Sequence, residues 1–279
     1  MSGRRSTYFT LRGREIHVSL WGDKSCPALV MWHGLARTGR DFDTIATALK
    51  DDYFILAPDT LGRGLSQWAE DPASEYRIEI YGEMAIELLD QLRVERCRWI
   101  GTSMGGAIGM HLAGGLLRDR MTHLVINDIG PGLPAAAIER IGTYLGDPPR
   151  LATMLEFEGW LRQVYAPFGF QTDAEWRNMA ETSVRRTDTG EITVHYDPRL
   201  VVPFKEDDTF GSQWESYDAV VAKTLLLRGA KSDLLPDTLA AEMTRRGPRA
   251  ERIDFPDIGH APALNVPDQI EPIRRMLIQ

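Results

Sequence analysis

The chain has 279 residues, 43% of them apolar and 26% charged, which suits one large globular domain or a domain carrying an insertion. Its net charge of −8 argues against nucleic acid as a partner, because phosphates demand a basic surface, and no apolar run nears the about 18 residues of a membrane span. Two cysteines, Cys26 and Cys97, are too few for a disulfide framework, so the expected compartment is the reducing cytoplasm.

In chain order, Arg4–Arg5 lacks the apolar stretch that a twin-arginine signal needs. "TYFTLRGREIHVSLW" then reads as two strands around a turn at Arg12–Gly13–Arg14. "ALVMWHG" is a short buried strand ending in glycine, and "DFDTIATALK" has an acidic start and helical spacing. "YFILAPD" is the next strand, followed by the loop "TLGRGLSQW". Over 76–93, Tyr81, Met84, Ala85, Leu88 and Leu92 recur at spacings of three and four, so an amphipathic helix is predicted. "RCRWIG", "MGGAIGMHLAGGLL" and "THLVINDIG" continue the strand–helix–strand alternation. Such alternation implies a mainly parallel sheet covered on both faces.

The rhythm breaks after Pro131 and resumes at "KTLLLRGA", "DTLAAEMTRR", "AERIDFPD" and a last helix near 267–278. Residues 131–213 carry scattered prolines and many aromatics without strand alternation, and no Gly/Ser-rich linker flanks them. The expectation is one core, 1–130 and 214–279, interrupted by an insertion at 131–213.

Gly101-Thr102-Ser103-Met104-Gly105 fits G-x-S-x-G between a strand and a helix. That setting gives a tight turn, which lifts a serine hydroxyl off the sheet edge and needs small residues two places on either side. The stretch lacks both the lysine of a phosphate loop and the G-x-G-x-x-G spacing of a dinucleotide site. Ser103 as a nucleophile needs a base and an orienting acid. Of six histidines, His260 in "FPDIGHAPAL" follows the last strand candidate, at the sheet edge that carries the serine. The acid must end a strand on that edge: Asp233, after "LLLRGAKS", is the first choice, and Asp128, after "LVIN", the second. Oxyanion donors are expected from the N–H groups of Met104 and of Leu35, past His33–Gly34, with His33 holding that loop. Trp32, by adjacency to the oxyanion loop, and Trp160 and Phe168, among the aromatics of the insertion, are candidates for substrate binding. No metal or cofactor motif occurs.

Together "WHGLA", "LAPDTLGRGLS", "GTSMGG", "RGAKSD" and "GHAP" resemble the α/β-hydrolase superfamily, in its order and over nearly the whole chain. "PDTLGRGLS" looks like the family's P-D-x-x-G-x-G-x-S loop, with Arg63 where histidine is common. The resemblance implies an α/β fold with an eight-stranded, mostly parallel sheet, helices on both faces, and a helical cap formed by the insertion. It implies a serine esterase acting on small to medium apolar acyl or aryl esters, with a small-molecule ester as its partner and no cofactor. Lactone opening, carbon–carbon bond hydrolysis and cofactor-free perhydrolysis use the same triad, and a small-molecule receptor that retains it is the non-enzymatic alternative. Hydroxy-acid oligoesters are also open, although nothing in the sequence selects them.

Overall fold

The computed structural model describes residues 3–205 and 212–278; the stretch 206–211 of the expected insertion lies outside the described residues. The strands are β1 (Arg5–Leu11), β2 (Arg14–Trp21), β3 (Ala28–Trp32), β4 (Phe54–Pro58), β5 (Cys97–Thr102), β6 (Met121–Asn127), β7 (Val184–Arg186), β8 (Ile192–Val194), β9 (Lys223–Gly229) and β10 (Glu251–Phe255). The helices are α1 (Asp43–Leu49), α2 (Pro72–Glu75), α3 (Ile78–Gln91), α4 (Met104–Ala113), α5 (Ala135–Leu145), α6 (Met154–Val164), α7 (Asp173–Ser183), α8 (Trp214–Ala219), α9 (Asp237–Met243) and α10 (Pro267–Leu277).

Eight strands form one sheet in the order β1-β2-β4-β3-β5-β6-β9-β10. The β1–β2 and β2–β4 pairs are antiparallel and the rest are parallel. The predicted turn closes β1 onto β2 with Arg12 and Gly13 both at positive φ, the backbone that matches the twist of a two-residue hairpin. β3, β4 and β9 are almost wholly buried, as strands covered on both faces must be.

Each face of the sheet has its own apolar core. One is built on α3 and α4, with Tyr81, Met84, Leu88 and Ile108 packed on Trp99 and Leu124. The other is built on α1 and α10, with Ile45, Leu49, Ile273 and Leu277 packed on Met31, Ile55 and Val125. Between β6 and β9 the chain forms α5, α6, α7 and the hairpin β7–β8. That hairpin departs from the strand-free expectation, because two strands of three residues each give too short a pattern to read. The helices α6 and α7 both open with a capping box, Thr153 with Glu156 and Thr172 with Glu175. No helix among the described residues is long and apolar enough to cross a membrane.

Candidate active site

The strand order decides what meets what. β5 ends at Thr102 paired with Asn127 at the end of β6, so Ser103 and Asp128 leave the sheet side by side. β6 is flanked on its other side by β9, and β9 by β10, whose following loop brings back His260.

Ser103 sits between β5 and α4 at φ 52°, ψ −117°, a backbone that L-residues adopt only when the surroundings enforce it. Two close approaches enforce it here. A Cβ on Gly105 would lie 1.9 Å from the Trp32 carbonyl oxygen, and one on Gly101 would lie 2.1 Å from that of Gly105. Trp99 Nε1 donates to the Gly105 carbonyl at 2.9 Å and fixes the turn from below. Met104 N–H is the first amide of α4 and meets no carbonyl within its own helix. It points the positive end of the helix dipole toward the serine.

His260 Nε2 lies 2.9 Å from Ser103 Oγ, and its Nδ1 lies 2.8 Å from Asp128 Oδ2. A carboxylate can only accept, so the imidazole proton sits on Nδ1 and the Nε2 lone pair faces the serine hydroxyl. Asp128 is fully buried, and its Oδ1 accepts from Gly229 N–H at 2.9 Å. The His260 side chain keeps 18% of its surface exposed. Asn127 ties the serine loop to the histidine loop by donating through Nδ2 to Thr102 Oγ1 and to the Pro262 carbonyl. Sequence reasoning passed over Asn127, since an asparagine ending a strand looks like any turn residue.

The carboxylate beside His260 is thus Asp128, the second choice, and not Asp233. Asp233 is exposed, in a loop folded around Ser232 Oγ, which accepts from Leu234 and Leu235 N–H. Trp32 also falls outside the cavity. It is 2% exposed, stacks on Trp99 with ring centroids 5.4 Å apart, and donates through Nε1 to Thr60 Oγ1. The pleat of β3 turns that side chain into the core, however close it stands to the Leu35 loop in sequence. Trp160 stacks on Phe157 as packing. Phe168 packs against Tyr165 and lines a separate, more polar cleft with Gln171 and Asn178.

A cavity of about 380 Å³ opens at the serine. Leu35, Arg63, Ser103 and Met104 line it from the sheet side, and Pro131, Leu133, Ile141 and Leu200 from the segment between β6 and β9. His111, two turns along α4, also lines it. His33 is fully buried beneath the Leu35 loop. Its Nε2 accepts from Thr60 N–H at 2.9 Å, so its Nδ1 carries the proton and donates to the Gly34 carbonyl at 2.7 Å. Burial pushes the His33 ring down to about 4, so it is neutral near pH 7.

Residues 29–272 match the model of the Alpha/beta hydrolase family. The chain is 44% identical over 260 residues to a 3-hydroxybutyrate-oligomer hydrolase of Cupriavidus necator, covering 90% of this chain and 88% of that one. It is 25% identical over 233 residues to an esterase of Mycobacterium tuberculosis, covering 81% of this chain and 73% of that one. Among solved structures, an alpha/beta hydrolase from Novosphingobium aromaticivorans superposes with a TM-score of 0.88 at 32% identity, over 100% of this chain and 99% of that one. The match spans the sheet from β3 to α10 and takes in the serine turn, the buried aspartate and the histidine loop, and the chain belongs to the alpha/beta hydrolase family.

Proposed function

We propose that this hydrolase is a serine carboxylic ester hydrolase working through an acyl-enzyme. The observation that carries the reading is the unbroken chain of hydrogen bonds Ser103–His260–Asp128, with its serine in the wall of a cavity. His260 Nε2 takes the Ser103 proton as Oγ attacks the ester carbonyl carbon, and the carbonyl electron pair moves onto oxygen. Asp128 fixes the tautomer and stabilises the imidazolium. The N–H groups of Met104 and Leu35 are the donors for the oxyanion. The ester C–O bond then breaks, and His260 returns its proton to the departing alkoxide. Water, deprotonated by His260, attacks the acyl-enzyme and releases the acid with Ser103 restored.

Residues 131–213 act as a cap in this reading, since Pro131, Leu133, Ile141 and Leu200 close the cavity over the serine. Its volume suits a small or medium acyl chain. Similarity to a relative named for hydrolysing 3-hydroxybutyrate oligomers makes short hydroxy-acid oligoesters the substrates to test first. A fluorophosphonate should label Ser103, and Ser103→Ala should lower turnover of short aryl esters by at least about 1,000-fold. Undiminished turnover in that variant would rule the mechanism out.

A further inference from the structure

Arg63 stands where the sequence departs from the family's usual histidine, and its surroundings are unusual for a cation. It is 1% exposed, yet it lines the cavity beside Leu35 and Met104. Its Nε donates to the Leu35 carbonyl at 2.8 Å, and its Nη1 to the Leu61 carbonyl at 2.6 Å and to Tyr81 Oη at 2.7 Å. Among the described residues its Nη2 meets Met104 Sδ alone, at 3.5 Å. Every one of these acceptors is neutral, and the last is a thioether, a weak one. The rings of Tyr76 and Tyr81 lie 5.5 and 5.1 Å from the guanidinium carbon.

The buried carboxylates of this neighbourhood are committed elsewhere. Asp59 accepts from His17 and from the N–H groups of Gly39 and Leu65. Asp197 accepts from Tyr76 Oη and pairs with Arg199. Among the described residues, the other charged side chains lining the cavity are Arg77, half-buried and donating to the Ala73 carbonyl, and the exposed Glu79 and Glu215. In the cavity wall, next to the residue that follows the nucleophile, a guanidinium therefore sits without a counter-charge among the described residues. A buried cation in that state carries a large desolvation cost, which an entering anion relieves. With Nε and both Nη1 hydrogens committed, the Nη2 hydrogens are the ones that can give a carboxylate a charge-assisted hydrogen bond.

We propose that Arg63 binds a free carboxylate on the substrate, so that the enzyme selects esters whose leaving half is itself a carboxylic acid. The proposal rests on the serine ester hydrolase reading and narrows it. In a linear oligoester of a hydroxy acid, the free carboxylate always lies on the alcohol side of each ester bond. Arg63 therefore reads the leaving hydroxy acid, and chains are shortened from their carboxylate end. Its Nε also holds the Leu35 carbonyl, so the same side chain joins substrate binding to the oxyanion loop.

The test compares the linear dimer of 3-hydroxybutyrate with its methyl ester, which keeps the scissile bond and removes the charge, at fixed ionic strength. Wild-type enzyme is expected to favour the free acid in kcat/KM by at least about tenfold, mainly through KM. Arg63→Gln should bring that ratio near one, whatever loss both substrates share, and Arg63→Lys should restore part of it. As a measurement independent of any variant, short carboxylates should inhibit wild-type turnover of p-nitrophenyl butyrate competitively, and their amides should not. A wild-type ratio near one, or an unchanged ratio in a folded Arg63→Gln variant, overturns the carboxylate assignment and leaves the serine mechanism standing. Turnover that survives Ser103→Ala fails the mechanism itself, and is read separately.

Discussion

Burial separates the two aspartates on the active edge of the sheet. Asp128 has no exposed surface and spends one oxygen on Gly229 N–H and the other on His260. Asp233 is exposed. An imidazole needs a fixed, desolvated carboxylate to hold its tautomer, and a solvated one offers little orientation. Asp128→Asn should therefore lower kcat by about 10,000-fold on an aryl ester, while Asp233→Asn should leave it within about twofold. The reverse ranking would return the acid to the loop after β9. The serine and the histidine were legible in the sequence, because G-x-S-x-G and a histidine after the last strand are local signals. The acid was not, since both aspartates follow strands on one edge, and only the packing around them tells them apart. Trp32 shows the same limit, for its neighbours in sequence line the cavity while its own side chain faces the core.

At the scale of an element, the turn from β5 into α4 stores strain that its neighbours must hold. Ser103 is kept at φ 52° because β3 and α4 pass close enough that residue 105 has no room for a methyl group. Gly105→Ala should destabilise the protein by about 1–3 kcal/mol, since the Trp32 carbonyl against which its Cβ would press is backbone. The esterase rate should fall further than stability does, because a shifted turn moves Ser103 Oγ away from His260. A folded Gly105→Ala protein with a wild-type rate would show that the turn does not set the nucleophile. Elements with long periods were readable here. The apolar stripe of α3 and the hairpin turn of β1–β2 lie where their patterns put them, and Tyr81, Met84, Ala85 and Leu88 are buried. The three-residue strands β7 and β8 were not readable, being held by tertiary packing of Ile192 and Val194 and not by a pattern of their own.

Across the whole molecule, the loops at the active edge are tied down by buried polar groups, and these set how stability responds to acid. His33 is neutral under the Leu35 loop, with its ring pushed down to about 4 by burial. His195 is also pushed down to about 4, chiefly by burial, and its Nε2 is buried with no hydrogen-bond partner among the described residues. In the unfolded chain a histidine takes up its proton near pH 6.5. Between pH 6.5 and 4 the unfolded state therefore binds more protons than the native state, and stability must fall as the pH falls. Each ring contributes at most about 3 kcal/mol to that loss. Asp59 acts in a lower window. Burial pushes its carboxyl up, but the hydrogen bond from His17 and those from backbone amides outweigh this and hold it below the usual range. Its share of stability is present above the unfolded carboxylate value and is lost only as the pH falls toward its own depressed one. Denaturant unfolding from pH 7 down to 4.5 should thus show a steady fall whose slope approaches two protons. His33→Gln should remove up to one proton from that slope while lowering stability at pH 7, because a neutral amide cannot titrate and fits the His33 site less well. A stability curve flat from pH 7 to 4.5 would mean that these rings take up protons in the native state as easily as in the unfolded one, which their burial forbids.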